Sequence, residues 1–394
     1  MHKKTDEIIH VLFHSKKNDL PVGLTQGESG LLLLSGQLAI LTQDQFYIDK
    51  CVTVLESLVD DLSGEFVYSS LASGVAGLGW VVEFLVQNNI IDADTNEILG
   101  DIDKNVYKWM MAEQKKGNYD LLHGAIGGGL YFLKRISADS NAANAVEILI
   151  GQLLDQGITA EDGSIFWLQR NIGYYDVKEN VNMGLSHGIP SVLAFFVKAY
   201  REGILKDRLY PFIRNLADSL LKYKQDFSIH GSCFPSHVYL DGAIDHQSRL
   251  AWCYGDLGVS CALWHANTIL NDKSIESAIV EVLLKNAVIR NLKDGKILDS
   301  SFCHGASGAA YIFLLFYKRF GREEFLKASD FWYEELLKMD TFPGGAAGYK
   351  TWSGQSESWE NNFGLLEGIS GVAMSLLAKD FPFDNNWDEI YLIS

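Results

Sequence analysis

Apolar and polar positions alternate along this chain between two kinds of helical segment. In DKCVTVLESLVDDL, NAANAVEILIGQLLDQG, RLYPFIRNLADSLLKY, SIESAIVEVLLKNAVIRN and EEFLKASDFWYEELLKM, apolar residues recur at helical spacing among charges, the pattern of a helix with one wet face. Between them lie segments that are apolar almost all round, such as LLLLSGQLAIL, WVVEFLV and GAAYIFLLFY. A helix without a polar face has to be covered on every side, so the second type is expected inside a shell made of the first.

The apolar segments begin alike. A G-x-x-G turn precedes them at Gly27, Gly74, Gly124, Gly255, Gly305 and Gly368, and a fourth copy in chain order, at Gly188, carries Ser191 in place of the second glycine. The steps are 47, 50, 64, 67, 50 and 63 residues. Seven helical hairpins can stack as an open solenoid or close into a ring, and an open array needs polar helices at its ends. Here the first and last apolar helices are as greasy as the middle ones. The pattern therefore predicts an all-α protein, an α/α toroid (double barrel) with seven inner and seven outer helices, over 1–394 as a single domain. The stretches 160–183 and 225–248 fall in the two longest gaps and are expected to be loops or a small insertion.

Each turn would deliver the residue before its first glycine to the same end of the barrel: Gln26, Ser73, His123, His187, Tyr254, His304 and Glu367. Most such turns serve only as tight connections. Two carry more. Cys253 lies two residues before Gly255, and Cys303 with His304 immediately precedes Gly305, one repeat later. Neighbouring side chains diverge by about 100° inside a helix, but in a loop before one both can turn to a single ion. Two sulfurs and a nitrogen suit tetrahedral zinc with the fourth position left for water or substrate. Buried structural cysteines remain the alternative on spacing alone.

Composition narrows the function. Of 394 residues, 47% are hydrophobic, and the 33 Lys and Arg against 50 Asp and Glu give a net charge of −17, which opposes a phosphate backbone and argues against nucleic acid. The first twenty residues mix charges of both signs and do not read as a signal peptide. The longest apolar run is about half of the ~20 residues a spanning helix needs, so no transmembrane segment is expected, and a cytoplasmic location is. Five scattered cysteines argue against a disulfide framework. Cys51 and Cys261 sit in apolar helical runs and are expected in the core, and Cys233, in HGSCFPSH, has no repeat partner to make a second metal site.

The motifs GLSHGIP, WCYGD and FCHGASG, each opening a helix of this seven-fold array, resemble the lanthionine synthetase C family of lanthipeptide cyclases, and the resemblance runs from QGESG to LEGISG. It implies zinc held by Cys253, Cys303 and His304, and catalytic roles for Asp120, His187, Arg249 and Tyr254, with His123 an available rival to Asp120. It also implies the reaction, in which a peptide cysteine adds to dehydroalanine or dehydrobutyrine to give a thioether. Resemblance to the class I arrangement implies a dehydrated precursor peptide with its leader as substrate, a separate dehydratase, and an exporter that would bring the protein to a membrane. The two long gaps are candidates for leader binding. Rival readings are a zinc-dependent transferase of the protein prenyltransferase kind, addition of glutathione to dehydrated residues, and a non-catalytic peptide-binding module.

Overall fold

A computed structural model describes residues 2–14, 20–62, 68–170, 178–354, 356–381 and 386–394. Residues 171–177, in the middle of the first expected insertion, lie outside them. Among the described residues the chain forms sixteen α-helices and seven short strands, and no helix is long and apolar enough to cross a membrane. It divides into two compact units, one of Met1–Asp103 with Arg290–Trp387, the other of Lys104–Ile289 with Asp388–Ser394.

In the first unit the apolar helices Ala306–Phe320, Ile369–Asp380, Glu28–Thr42 and Val75–Gln87 pack side by side in that order. Their apolar character matches their burial: every residue from Ser29 to Ala39, from Val75 to Leu85 and from Ile369 to Ala378 is buried. Outside them lie amphipathic helices. Glu323–Lys338 covers Ala306–Phe320 with Phe325, Ala328, Trp332, Tyr333 and Leu336, and Gln45–Leu62 covers Glu28–Thr42.

The last hairpin of this unit is joined out of chain order. Among the described residues the element that follows Ile369–Asp380 is the short 3-10 helix Trp387–Tyr391; the helix Lys3–His14 packs on Ile369–Asp380 and buries Ile8, Ile9 and Leu12. The main-chain N–H of His2 donates to the Asp380 carboxylate at 2.7 Å, and Lys4 pairs with Asp340 at 2.6 Å. An outer partner for the seventh apolar helix is thus supplied from the other end of the sequence.

The second unit repeats the plan with Ala125–Arg135, Ile189–Arg201 and Asp256–Leu270 inside, backed by Ala142–Gln156, Lys206–Lys222 and Lys273–Asn286. Lys206–Lys222 buries Leu209, Ile213, Leu216 and Leu220, a stripe three and four residues apart. The two expected insertions meet here: strand Asn180–Asn182 pairs antiparallel with His237–Tyr239, which pairs with Ile244–Asp245. One strand precedes a helical hairpin and two follow it, so the insertions form one small sheet.

The G-x-x-G turns explain how apolar helices begin without a side-chain cap. In the copies opening at Glu28, Val75, Ala125, Ala306 and Ile369, the first helical N–H donates to the carbonyl of the residue six before the glycine, Pro21, Tyr68, Asn118, Asp299 and Asn362, at 2.9–3.0 Å. The turn folds back and satisfies one of the N–H groups that a helix start leaves open. That return leaves no room for a side chain: a Cβ on the first glycine would lie 1.8 to 2.8 Å from this carbonyl in all seven copies. A second carbonyl crowds the other glycine, so that a Cβ on Gly308 would meet the Phe302 oxygen at 1.9 Å. In the fourth copy Ser191 is accommodated, and its hydroxyl donates to the Gly188 carbonyl at 2.7 Å.

Candidate functional site

Four of the residues singled out in the sequence, Asp120, His187, Cys253 and Tyr254, lie on three turns of the second unit. Asp120 precedes Gly124. Its Oδ1 accepts from the main-chain N–H groups of Leu122 and His123, both at 2.7 Å, which pins the carboxylate to its own turn. Its Oδ2 is 2.5 Å from Nδ1 of His187, on the next turn. The imidazole is thereby held by Nδ1, with Nε2 directed away from the carboxylate.

The charges of this pair favour each other. Burial alone would push the His187 imidazole down; the Asp120 carboxylate outweighs it and holds it above the usual histidine value, with Cys253 adding in the same direction. Burial would raise the Asp120 carboxyl, but His187 first and His123 second hold it below the ordinary carboxylate range. His123 behaves oppositely: burial pushes it down, Asp120 opposes this, and the His187 charge adds to the fall. Of the two histidines beside Asp120, His187 meets the carboxylate with its ring, and His123 donates to it through its main-chain N–H.

Cys253 and Tyr254 are brought against the His187 turn by the absence of a side chain at Gly184. A Cβ there would meet the Cys253 carbonyl at 2.5 Å and the Tyr254 ring at 2.8 Å. The Ser186 N–H donates to the Cys253 carbonyl at 3.4 Å, and the ring centres of His187 and Tyr254 are 5.9 Å apart. Cys253 is buried, Tyr254 and His187 half-buried. Arg249 begins the same turn with its carbonyl against Gly255, and its side chain is exposed.

Cys303 and His304 lie in the first unit. Cys303 is buried, and its N–H donates to the carbonyl of Leu366 at 2.9 Å. Leu366 donates likewise to Thr25 at 3.2 Å, and Thr25 to Ala72 at 3.0 Å. Each of these residues stands two before the first glycine of its turn, so a main-chain ladder links successive turns at one repeat position. Ser186 to Cys253 is a rung of the same ladder in the second unit. His304 has its Nε2 4.0 Å from the Oδ2 of Asp299, which also accepts the Trp352 N–H at 3.1 Å, while Oδ1 accepts the Ser301 N–H at 3.0 Å.

Cys51 and Cys261 are in the core, as their apolar helical runs predict, and Cys233 is fully buried as well. Burial pushes the Cys51 thiol up to about 12 and raises Cys233 further, with Asp256 adding to the rise. Of the two histidines that flank Cys233 in HGSCFPSH, His230 stacks on His246 with ring centres 4.1 Å apart, and His237 has its Nδ1 3.0 Å from the Ser236 hydroxyl.

Reading the sequence missed Asn182, Asp299 and His237. Asn182 is buried, and its amide touches Tyr254, Gln169 and His237, whose ring centre lies 5.3 Å from that of Tyr254. A signal for the first two exists. The residue six before the first glycine is Asn118, Asn182, Asp299 or Asn362 in four of seven copies, and in each the side-chain Oδ1 accepts the N–H two residues on. His237 carries no such signal, because it comes from the insertion.

A solved structure described as nisin cyclase matches this fold over 99% of this chain and 96% of that chain, with a TM-score of 0.77 and 18% sequence identity. The all-α class follows, consistent with the toroid expected from the repeat. A cellobiose 2-epimerase from Bacillus thermoamylovorans (13% identity, TM-score 0.48, covering 96% of this chain and 100% of that one) and a sugar epimerase from a ruminal bacterium (10%, 0.48, 96% and 99%) are more distant. Residues 18–392 match the family described as lanthionine synthetase C-like protein, and this chain belongs to that family.

Proposed function

We propose that this protein is a zinc-dependent lanthipeptide cyclase, adding the cysteine thiols of a dehydrated precursor peptide to dehydroalanine or dehydrobutyrine to form lanthionine and methyllanthionine rings. The observation that carries this reading is the donor set: the ligand atoms of Cys253, Cys303 and His304 lie within 4.8 Å of one another. Two sulfurs and one imidazole nitrogen fit a tetrahedral zinc whose ligands sit at ~2.0–2.3 Å, with a fourth position left for a substrate thiol. The repeat supports the same grouping, since Cys253 and Cys303 occupy the ladder position in successive turns.

Zinc held there would supply the positive charge that keeps a substrate thiol deprotonated at neutral pH, where a free thiol with a pKa near ~8.5 is mostly protonated. The chain's own residues then do the rest. Attack of the sulfur on the β-carbon forms the C–S bond and moves the alkene electrons to an enolate, whose oxygen needs a hydrogen-bond donor and whose Cα needs a proton. His187, whose protonated form Asp120 favours and whose ring is directed by its Nδ1 bond, gives that proton from Nε2. Tyr254 and the exposed Arg249 supply donors for the enolate oxygen. The thiol proton lost at the start balances the one delivered at Cα, so the product has the mass of the substrate. We assign the dehydro residues to a separate dehydratase, and a cytoplasmic site of action near an exporter.

The test is incubation of a dehydrated precursor peptide with this protein, followed by thiol alkylation and mass spectrometry. Loss of alkylatable thiols without change of mass is expected. Persistence of all thiols would overturn the reading, and a mass gain in the presence of glutathione would replace it with intermolecular addition. Cys253→Ala or Cys303→Ala that retained a full equivalent of zinc would remove the ligand assignment.

A further inference from the structure

The amide of Asn182 has only one possible orientation. Its Oδ1 is 2.8 Å from the main-chain N of Gly184, a group that can only donate, so the atom facing it must be the oxygen. The Nδ2 therefore faces the Tyr254 hydroxyl at 3.0 Å, Gln169 Oε1 at 2.9 Å and His237 Nε2 at 3.4 Å. An amide nitrogen carries two hydrogens and accepts none, and the two shorter contacts take them. The Tyr254 oxygen is thus an acceptor toward Asn182, and its own hydrogen points elsewhere.

We propose that Asn182 is a positioning residue that fixes the polarity of the Tyr254 hydroxyl, so that Tyr254 donates toward the enolate oxygen of the substrate. The proposal rests on the cyclase reading above. A purely structural role is separable, because the turn uses only half of the amide. At the same repeat position Asp299 serves its turn with a carboxylate oxygen accepting from Ser301 at 3.0 Å, as Asn118 and Asn362 serve theirs through Oδ1. What asparagine adds in the fourth copy is the donor. Asn182 is fully buried, so no solvent exchange randomises the arrangement.

Asn182→Asp is therefore a selective probe: the turn keeps its acceptor, while the other carboxylate oxygen requires Tyr254 to turn its hydrogen inward. Expected are an unchanged melting temperature to within a few degrees, unchanged zinc content, an unchanged KM, and a kcat lower by roughly 100-fold, the usual loss of one oxyanion donor. Tyr254→Phe should lose a similar factor, and the double variant no more than either alone. Infrared spectroscopy gives a readout independent of cyclisation. The Tyr254 C–O stretch, identified as the band missing in Tyr254→Phe, should move to higher frequency in Asn182→Asp as the phenol changes from acceptor to donor. An unshifted band would overturn the hydroxyl polarity whatever the protein catalyses. A shifted band with unchanged kcat would overturn the catalytic significance. A shifted band in a protein whose wild type leaves precursor thiols intact supports the polarity and removes only the cyclase reading.

Discussion

Asp120 and His187 stand 67 residues apart on successive turns and meet through Oδ2 and Nδ1 at 2.5 Å, with the other carboxylate oxygen already committed to its own turn. The imidazole therefore owes its raised pKa to a charge it cannot displace.

Asp120→Asn tests that debt. An asparagine oxygen can still accept from Leu122 and His123, so the turn should survive, but the negative charge is gone. Burial then acts on His187 with only the smaller contribution of Cys253 against it, and its pKa should fall. Since the proposed proton donor works in its charged form, the alkaline limb of the kcat–pH profile should move to lower pH. At neutral pH kcat should drop by between ten- and a thousand-fold. A profile with an unmoved alkaline limb would exclude His187 as the titrating acid.

Asp299 divides its carboxylate differently, and its replacement has a different signature. Oδ1 serves the turn through Ser301, while Oδ2 serves Trp352 and faces His304. Asn118, Asn182 and Asn362 show that the turn itself tolerates an amide. Asp299→Asn would point an N–H₂ at the half-buried Trp352 N–H, leaving that donor without its acceptor at a cost of about 1 kcal/mol. It would also remove the anion beside His304. Zinc affinity, measured by chelator competition, should fall by about 10–100-fold, as for outer-shell partners of metal-bound histidines.

The hairpin periodicity and the motif residues were legible in the sequence because both repeat: one glycine pattern in six copies and, with Ser191, in a seventh, and Cys253 and Cys303 at the same position of it. Lys3–His14 was not legible as the partner of Ile369–Asp380. Its Ile8, Ile9 and Leu12 mark an amphipathic helix, but nothing in them says that the helix packs against the far end of the chain. The sheet of Asn180–Asn182, His237–Tyr239 and Ile244–Asp245 was missed as well, since strands of two or three residues are too short to show a period of two. With it went His237, which comes beside Tyr254 from the second insertion, whereas Asn182 had a signal in the repeat that went unread.

Glycines in this chain fall into two classes that stability measurements should separate. Gly308→Ala places a methyl 1.9 Å from the Phe302 carbonyl, a collision only the backbone can relieve. Gly151 lies inside the helix Ala142–Gln156 with nothing within 4 Å of an added Cβ. Gly151→Ala should stabilise by about 0.5–1 kcal/mol, raising Tm by a few degrees. Gly308→Ala should lower Tm by more than that gain. Equal effects at the two sites would contradict the close turn packing.

Asp256 gives the last prediction. It opens the helix Asp256–Leu270, is fully buried, and accepts from the main-chain N–H of Cys233 at 2.7 Å and of Phe234 at 2.9 Å and from the Asn286 amide at 2.6 Å. One carboxylate thus joins the start of an apolar helix, the second insertion and the end of the outer helix Lys273–Asn286. Asp256→Ala would leave three buried donors without an acceptor, each worth about 1–3 kcal/mol if water does not reach it. The segment least able to bear this is 225–248, where the sheet strands are short and few apolar side chains hold the loop. Exchange of its amides should accelerate far more than exchange in Ile189–Arg201. Cys233, whose thiol is kept unreactive mainly by burial, should become open to alkylation in the variant while remaining inert in the wild type. Because the strand His237–Tyr239 belongs to that segment, kcat should fall along with the opening, and uniform exchange across the unit would show instead that Asp256 supports the whole hairpin stack.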